Sequence, residues 1–225
     1  MNRVLEIFAQ YGLKIEDEKA EKLSRYIDRL INAPLNLTSI KDFDQAVHKH
    51  AVDVLLPVTN LCGEVLDAGT GGGVPGIIYA IVFPVRVFLV DSTRKKIIWL
   101  QSIIRELEIT NAETFCSRIE ELGHHMRERF DVLTARALAE LRITAELCAA
   151  FCKINGRLLF YKGPKWQQEY KEAEHTLKAL GLELEDIKEY SLRTGEQRSL
   201  LIFRKLKRTS QLFPRRISEI LKKPL

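Results

Sequence analysis

Apolar and polar positions change period along this chain. Through about residue 60 the apolar residues recur at helical spacing: Val4, Leu5, Ile7, Phe8 and Tyr11 make one stripe, and Leu23, Tyr26, Ile27, Leu30 and Ile31 a second. Pro34 stops the second helix, because its ring lacks the N–H that the next turn would need. Asn36-Leu37-Thr38-Ser39-Ile40 follows as a loop, and Phe43 to Leu56 reads as a third helix ending at Pro57. Residues 1–60 are therefore expected to form a small helical module.

From Glu64 onward, short apolar runs alternate with helical segments. Strands are expected near 64–68, 85–91, 112–115, 130–135 and 155–162, with helices at about 75–82, 93–107, 118–123 and 139–152. Such alternation argues for a parallel sheet covered on both faces. The end of the chain differs. A helix near 166–180 leads to Leu182–Tyr190 and Arg198–Arg204, with only a turn region at Gly195 between them. A parallel pair would need a crossover of roughly a dozen residues, so these two strands form an antiparallel hairpin. The expectation is an α/β sheet domain over 61–206, followed by a basic tail at 207–225.

The densest chemical signal is Glu64-Val65-Leu66-Asp67-Ala68-Gly69-Thr70-Gly71-Gly72-Gly73-Val74-Pro75-Gly76. A buried strand runs up to Asp67, five glycines occupy the next nine positions, and Ile77-Ile78-Tyr79-Ala80-Ile81 starts a helix. Strand, tight turn and helix make a nucleotide cradle, since a turn without Cβ atoms lets a ligand approach the main chain. Pro75 suits a first helical turn, where its missing N–H has no partner. Val85–Val90 supplies a neighbouring strand that ends in Asp91, a carboxylate placed to accept both hydroxyls of an adenosine ribose. Asp91-Ser92-Thr93 is equally an ordinary helix start. Asp91 lies 24 residues after Asp67, and dinucleotide folds place their acid about 20 residues on, so the pair alone separates neither NAD nor S-adenosyl-L-methionine.

With 225 residues the chain buries a sizeable core around one main domain. The opening Met-Asn-Arg-Val-Leu-Glu resembles no signal peptide, and no run approaches the roughly 18 apolar residues of a membrane span, so a cytoplasmic protein without membrane contact is expected. Cys62, Cys116, Cys148 and Cys152 lack zinc-ligand spacing, and the five histidines form no metal pattern, so no metal is expected. Net charge is +5, and from Arg204 to Leu225 eight basic residues face the single acid Glu219. That one-sided end suits a phosphate backbone, and equally a solvated tail.

These elements have a family likeness. The terminal hairpin and the helical module ahead of the cradle resemble the seven-stranded, Rossmann-like S-adenosylmethionine-dependent methyltransferases. Asn36-Leu37-Thr38-Ser39-Ile40, His50-x-x-Asp53-x-Leu55, Asp67-x-Gly69-Thr70-Gly71-x-Gly73-x-Pro75-Gly76-Ile77, Ala135-Arg136-Ala137, Lys162-Gly163 and Pro214-Arg215-Arg216 occur in the order seen in the RsmG (GidB) family. Gly72 and Val74 depart from the residues common there. The resemblance implies a bacterial 16S rRNA (guanine-N7) methyltransferase that uses S-adenosyl-L-methionine, acts on 16S rRNA or the small ribosomal subunit, and works as a monomer.

Site roles follow from the same resemblance. Gly69, Gly71 and Gly73, with Val74 beside them, would pass under the methionine end of the cofactor, and Asp67 would orient its ammonium. Asp91 would hold the ribose; Ile119 and Glu120 would meet the adenine. Arg136, at a strand's carboxyl end, would hold the cofactor or a target phosphate unless it makes a structural ion pair. Asn36 is a candidate contact for the guanine edge, or a turn residue whose side chain caps its own backbone. Lys162, Lys165, Arg193, Arg198, Arg215 and Arg216 are candidates for RNA phosphates, with Trp166 or Tyr161 stacking on a base, although Tyr161 is equally readable as a core residue. Guanine N7 carries a lone pair and no proton, so no catalytic acid or base is named. His50 and Asp53 share one helix face, where a structural hydrogen bond is the expected use. The glycine pattern Gly71-x-Gly73-x-x-Gly76 also admits a nicotinamide-dependent oxidoreductase, and the same fold admits a non-catalytic rRNA assembly factor or a small-molecule methyltransferase; the basic tail argues against the last.

Overall fold

A computed structural model describes residues 2–225. Seven strands form one sheet: β1 (Gly63–Ala68), β2 (Val85–Asp91), β3 (Ala112–Cys116), β4 (Phe130–Arg136), β5 (Cys152–Lys162), β6 (Leu182–Ser191) and β7 (Gln197–Lys205). Their order is β3-β2-β1-β4-β5-β7-β6. β1 to β5 pair in parallel, whereas β7 pairs antiparallel with both β5 and β6. The hairpin expected at the end of the chain is therefore present, with β7 inserted between β5 and β6.

Alternation along each strand sends neighbouring side chains to opposite faces. Val65, Val87, Leu89, Val132 and Leu159 join one apolar cluster. Leu66, Phe88, Val90, Leu133, Leu158 and Phe160 join the other. The first cluster is closed by α1 (Arg3–Ala9), α2 (Asp17–Ile31), the segment Phe43–Leu55, α5 (Gly76–Val82) and α6 (Arg94–Glu106). The N-terminal helices are thus one layer of the sandwich. The second cluster is closed by α7 (Leu141–Ala149), α8 (Trp166–Leu180) and α9 (Ile217–Lys222).

Three elements differ from the sequence pattern. The third helix runs as α3 (Phe43–Ala46), a wide π turn over Val47–Val52, and α4 (Asp53–Leu55); π turns are rare and concentrate at functional sites. No α-helix forms at 118–123; two short 3-10 turns, Ile119–Glu121 and His124–Met126, stand there instead, since Gly123 adopts an extended backbone between them. Pro75 is the N-cap of α5, and Gly76 is its first helical residue.

The last segment is packed against the body. Arg127 donates to the carbonyls of Phe213 (2.7 Å), Thr209 (3.1 Å) and Ser210 (3.3 Å). Arg215 grips the Glu146 carboxylate of α7 with two bonds of 2.6 Å, and Ile220 is buried. Lys205, counted among the basic residues of the tail, is buried too. Its ammonium caps the C-terminus of α7 by donating to Ala149 O (2.5 Å) and Cys152 O (3.1 Å), where a cation meets the negative end of the helix dipole.

Candidate functional site

At the carboxyl ends of β1, β2 and β4, where open α/β sheets bind ligands, the chain leaves a cleft of about 300 Å³. It is lined by Gly69, Asp91, Ile119, Glu120, Leu138 and Ile217, among others. Of the glycine bend, Gly69 lines the cleft, while Asp67, Gly71, Gly73 and Val74 lie behind it. Gly69, Gly71 and Gly73 have φ of 69°, 56° and 95°, the left-handed region that side chains disfavour. A Cβ on Gly69 would stand 2.5 Å from Leu138 Cδ1, and one on Gly76 would stand 2.2 Å from Leu89 Cδ2. Conformation and packing both favour bare backbone at Gly69 and Gly73, and conformation alone does so at Gly71.

Asp67, fully buried at the end of β1, organises that bend. Its Oδ2 accepts from Thr70 Oγ1 (2.6 Å) and from Gly76 N (2.9 Å). Its Oδ1 is buried and has no hydrogen-bond partner among the described residues. Burial pushes the carboxyl up to about 6, against the pull of those two donors. An unsatisfied buried carboxylate oxygen is costly on its own and suits a cationic ligand group such as an ammonium.

Asp91 ends β2 with both oxygens engaged: Oδ2 accepts from Gly71 N (3.0 Å) and Oδ1 from Thr93 N (2.8 Å), and Lys96 Nζ lies 3.7 Å from Oδ2. Asp91 thus braces Thr93, the N-cap of α6, and also lines the cleft. Each carboxylate oxygen retains a second lone pair for a hydroxyl donor. Ile119 is buried at the cleft wall, and Glu120 Oε1 accepts from Ile217 N at 3.3 Å. Val74 is half-buried and packs against the first cluster. The glycine at 72 has its own reason: a Cβ there would stand 2.6 Å from Leu30 Cδ1 and 3.3 Å from Leu37 Cβ, so the loop Asn36–Ile40 packs directly on the bend. Asn36 is exposed within that loop.

Arg136 is absent from the cleft lining and serves the alternative role. Its Nη2 lies 2.9 Å from Asp53 Oδ2 and donates to Lys49 O at 2.7 Å; its Nη1 lies 3.3 Å from His50 Nδ1. His50 Nε2 in turn meets Thr38 Oγ1 at 3.0 Å. Burial, and then the Arg136 charge, push His50 down to about 3, so it is neutral and accepts from the arginine. His50 and Asp53 do not bond each other; both are held by Arg136. The next residue, Ala137, has φ of 54°, an uncommon conformation for a side-chain-bearing residue.

The candidates for RNA divide by exposure. Lys165 and Arg216 are exposed and make no ion pair among the described residues. Arg198 is half-buried beside Asp53 (3.5 Å). Arg193 donates to Gln10 O at 2.8 Å and lies over the Tyr11 ring. Lys162 and Arg215 are turned inward, contrary to the expectation: Lys162 bonds Glu169 and Ala139 O, both at 2.8 Å, and Arg215 bonds Glu146. Tyr161 is core as well, donating to Val54 O (2.8 Å) and paired with the Tyr79 hydroxyl. Trp166 keeps an exposed edge and donates to Glu189 at 3.0 Å. Sequence reasoning missed Ile217, since nothing local to the last helix marks it as a neighbour of Glu120.

Among the described residues no set of three or more His, Cys, Asp or Glu side chains converges on a metal site, and no helix is long and apolar enough to cross a membrane. The sheet order with its inserted antiparallel β7, and the glycine bend answered by Asp91, define the class of seven-stranded methyltransferase folds. Fibrillarin from Aeropyrum pernix, solved with S-adenosyl-L-methionine, shares that fold with a TM-score of 0.54 at 17% identity, over 68% of this chain and 73% of its own. A family profile described as rRNA small subunit methyltransferase G matches residues 19–201, and the chain belongs to that family. The ribosomal RNA small subunit methyltransferase G of Pseudothermotoga lettingae is 54% identical over the full length of both chains. That of Thermotoga maritima is 43% identical, over all of this chain and 95% of its own. Membership in this family removes the nicotinamide-dependent alternative.

Proposed function

We propose that this protein methylates guanine N7 in 16S rRNA of the small ribosomal subunit, in the cytoplasm, with S-adenosyl-L-methionine as donor. The observation that carries the reading is the unsatisfied, fully buried Asp67 Oδ1 at the root of a bend whose glycines Gly69, Gly71 and Gly73 all have left-handed backbone. Asp67 would take the ammonium of the cofactor, Gly69, Gly71 and Gly73 would let its methionine portion lie against the main chain, and Asp91 would accept the ribose hydroxyls. Ile119 and Glu120 would meet the purine. When bound, the cofactor supplies a methyl group on a sulfonium.

The chain's own task is alignment. Guanine N7 presents an in-plane lone pair and loses no proton when methylated there, so no general base has to be built. Holding donor and acceptor in line supplies the rate, because a correctly posed bound pair avoids most of the entropic cost of encounter. The loop Asn36–Ile40 supports this role: Leu37 touches Gly72 of the bend, while Asn36 is exposed beside it. Asn36 would read a guanine edge near the methyl group. Arg136 ties that loop to the sheet through His50 and Thr38.

The test is to map 7-methylguanosine in 16S rRNA from cells with and without this protein, and to repeat the transfer in vitro with labelled donor on purified small subunits. One modified guanine should vanish in the deletion and return with the purified protein. An unchanged modification map would reject the reading, and cofactor binding without any transfer would favour a non-catalytic assembly factor.

A further inference from the structure

The C-terminal segment reaches the cleft from outside the region that the family profile covers, which ends at residue 201. Ile217, the first residue of α9, lines the cleft together with Asp91, Ile119 and Leu138. Its backbone N–H donates to Glu120 Oε1 at 3.3 Å. The segment is anchored on the far side of this contact by Arg215 on buried Glu146, and by Arg127 on three of its carbonyls. Ile220 is buried one turn further along, and Thr176 donates to Leu225 O at 3.3 Å. A free tail would need none of these anchors. They hold one apolar side chain at the edge of a ligand-sized cleft and fix the carboxylate next to it.

We propose that Ile217 is a cofactor-binding residue: the C-terminal segment walls the adenosine end of the cleft, with the Ile217 side chain against the purine and its amide orienting Glu120 toward the purine's exocyclic amine. This inference rests on the cofactor site proposed above. Glu120 Oε2 makes no hydrogen bond among the described residues, so an acceptor remains for that amine after Oε1 has taken the Ile217 amide. Ligand and segment are then coupled. A ligand that packs on Ile217 must favour the docked segment by the same factor as the docked segment favours the ligand.

Two measurements on the full-length protein decide it. In calorimetry with S-adenosylhomocysteine, Ile217→Ala should weaken binding about tenfold, since burying a few methylenes against the purine is worth roughly that factor, and Ile217→Val should stay within about threefold of the parent. In hydrogen exchange on the unaltered protein, S-adenosylhomocysteine should slow the amides of Ile217 and Ile220. An Ile217→Ala variant that binds equally well would overturn the proposal, as would unaltered exchange at both amides. Tighter binding by that variant would also overturn it, by showing the segment to be a plug. Failure of the unaltered protein to bind S-adenosylhomocysteine at all would instead overturn the underlying cofactor assignment. If Ile217→Ala does not fold, the exchange measurement still decides.

Discussion

Arg136, at the carboxyl end of β4, contacts the carboxylate of Asp53 in the N-terminal layer at 2.9 Å, and Asp53 is almost wholly buried. The same carboxylate accepts from Tyr190 Oη at 2.9 Å, so three separate parts of the chain meet on one acid. A buried charge is tolerable only with such partners. The pair joins the sheet end, the π turn and the hairpin into one rigid support beneath the loop Asn36–Ile40.

His50 belongs to that support and gives it a pH dependence. Its folded value of about 3 lies below the ordinary 6.5, so the unfolded chain binds the extra proton in between. The contribution is present above pH 6.5 and is lost as pH falls toward 3. Urea unfolding between pH 6.5 and 4 should show stability declining with acid in the parent, and a shallower decline in His50→Asn. Identical slopes would show that His50 protonates freely in the folded protein.

Asp67 has the opposite sign. Its carboxyl is raised from 3.8 to about 6, so the folded state loses stability as pH rises from 3.8 to about 6, and the penalty is essentially complete at neutral pH. Asp67→Asn should therefore make the unliganded protein more stable at pH 7, by about 3 kcal/mol. The same change should weaken S-adenosylhomocysteine binding more than tenfold, because the ammonium then faces a neutral amide. Parent affinity should fall below about pH 6, and that fall should be absent from the variant. A variant that is both less stable and equally tight in binding would refute this account of the bend.

Arg215 anchors the C-terminal segment on Glu146. Its partner Glu146 has only 1% of its side chain exposed, so Arg215→Ala strands a buried carboxylate. The expected loss is about 3 kcal/mol in denaturant unfolding. Arg215→Ala together with Glu146→Leu should recover most of it, since an apolar replacement of both partners removes the stranded charge. Additive losses in the double variant would argue against the pairing.

Exposed and inward cations should separate in RNA binding. Lys165→Ala and Arg216→Ala should each reduce the slope of log affinity against log salt by about 1, the signature of one lost phosphate contact. Lys162→Ala should leave that slope intact and lower stability, because its ammonium is committed to Glu169 and Ala139 O. Filter binding to 16S rRNA fragments at several salt concentrations makes the comparison.

The parts of this structure that depend on local pattern were legible from residues alone. The apolar run up to Asp67 disclosed β1, and the glycine spacing disclosed the bend that Asp67 holds. A short link through Gly195 is enough to make β6 and β7 antiparallel, although it could not show that β7 enters the sheet between β5 and β6. Charge was the poor guide. Lys162, Lys205 and Arg215 look like surface residues in sequence because Lys and Arg are mostly exposed, yet each is drawn inward by an acceptor far along the chain. Residues 118–123 carry helix-like composition, but Gly123 and the need to turn into β4 leave only short 3-10 turns. The neighbourhood of Glu120 and Ile217 is a product of the completed fold, which no window of sequence contains.

The N-terminal layer that packs on Gly72 also reaches the bend through a hydroxyl. Tyr26 of α2, fully buried, donates to the carbonyl of Gly72 at 2.8 Å. The most delicate turn in the molecule is therefore latched from outside its own strand–helix unit, by a layer made earlier in the chain. A graft that exchanged residues 1–60 for an unrelated cap would have to bring its own donor to that carbonyl, and a shortened enzyme that began at β1 would inherit the glycines without the clasp that shapes them.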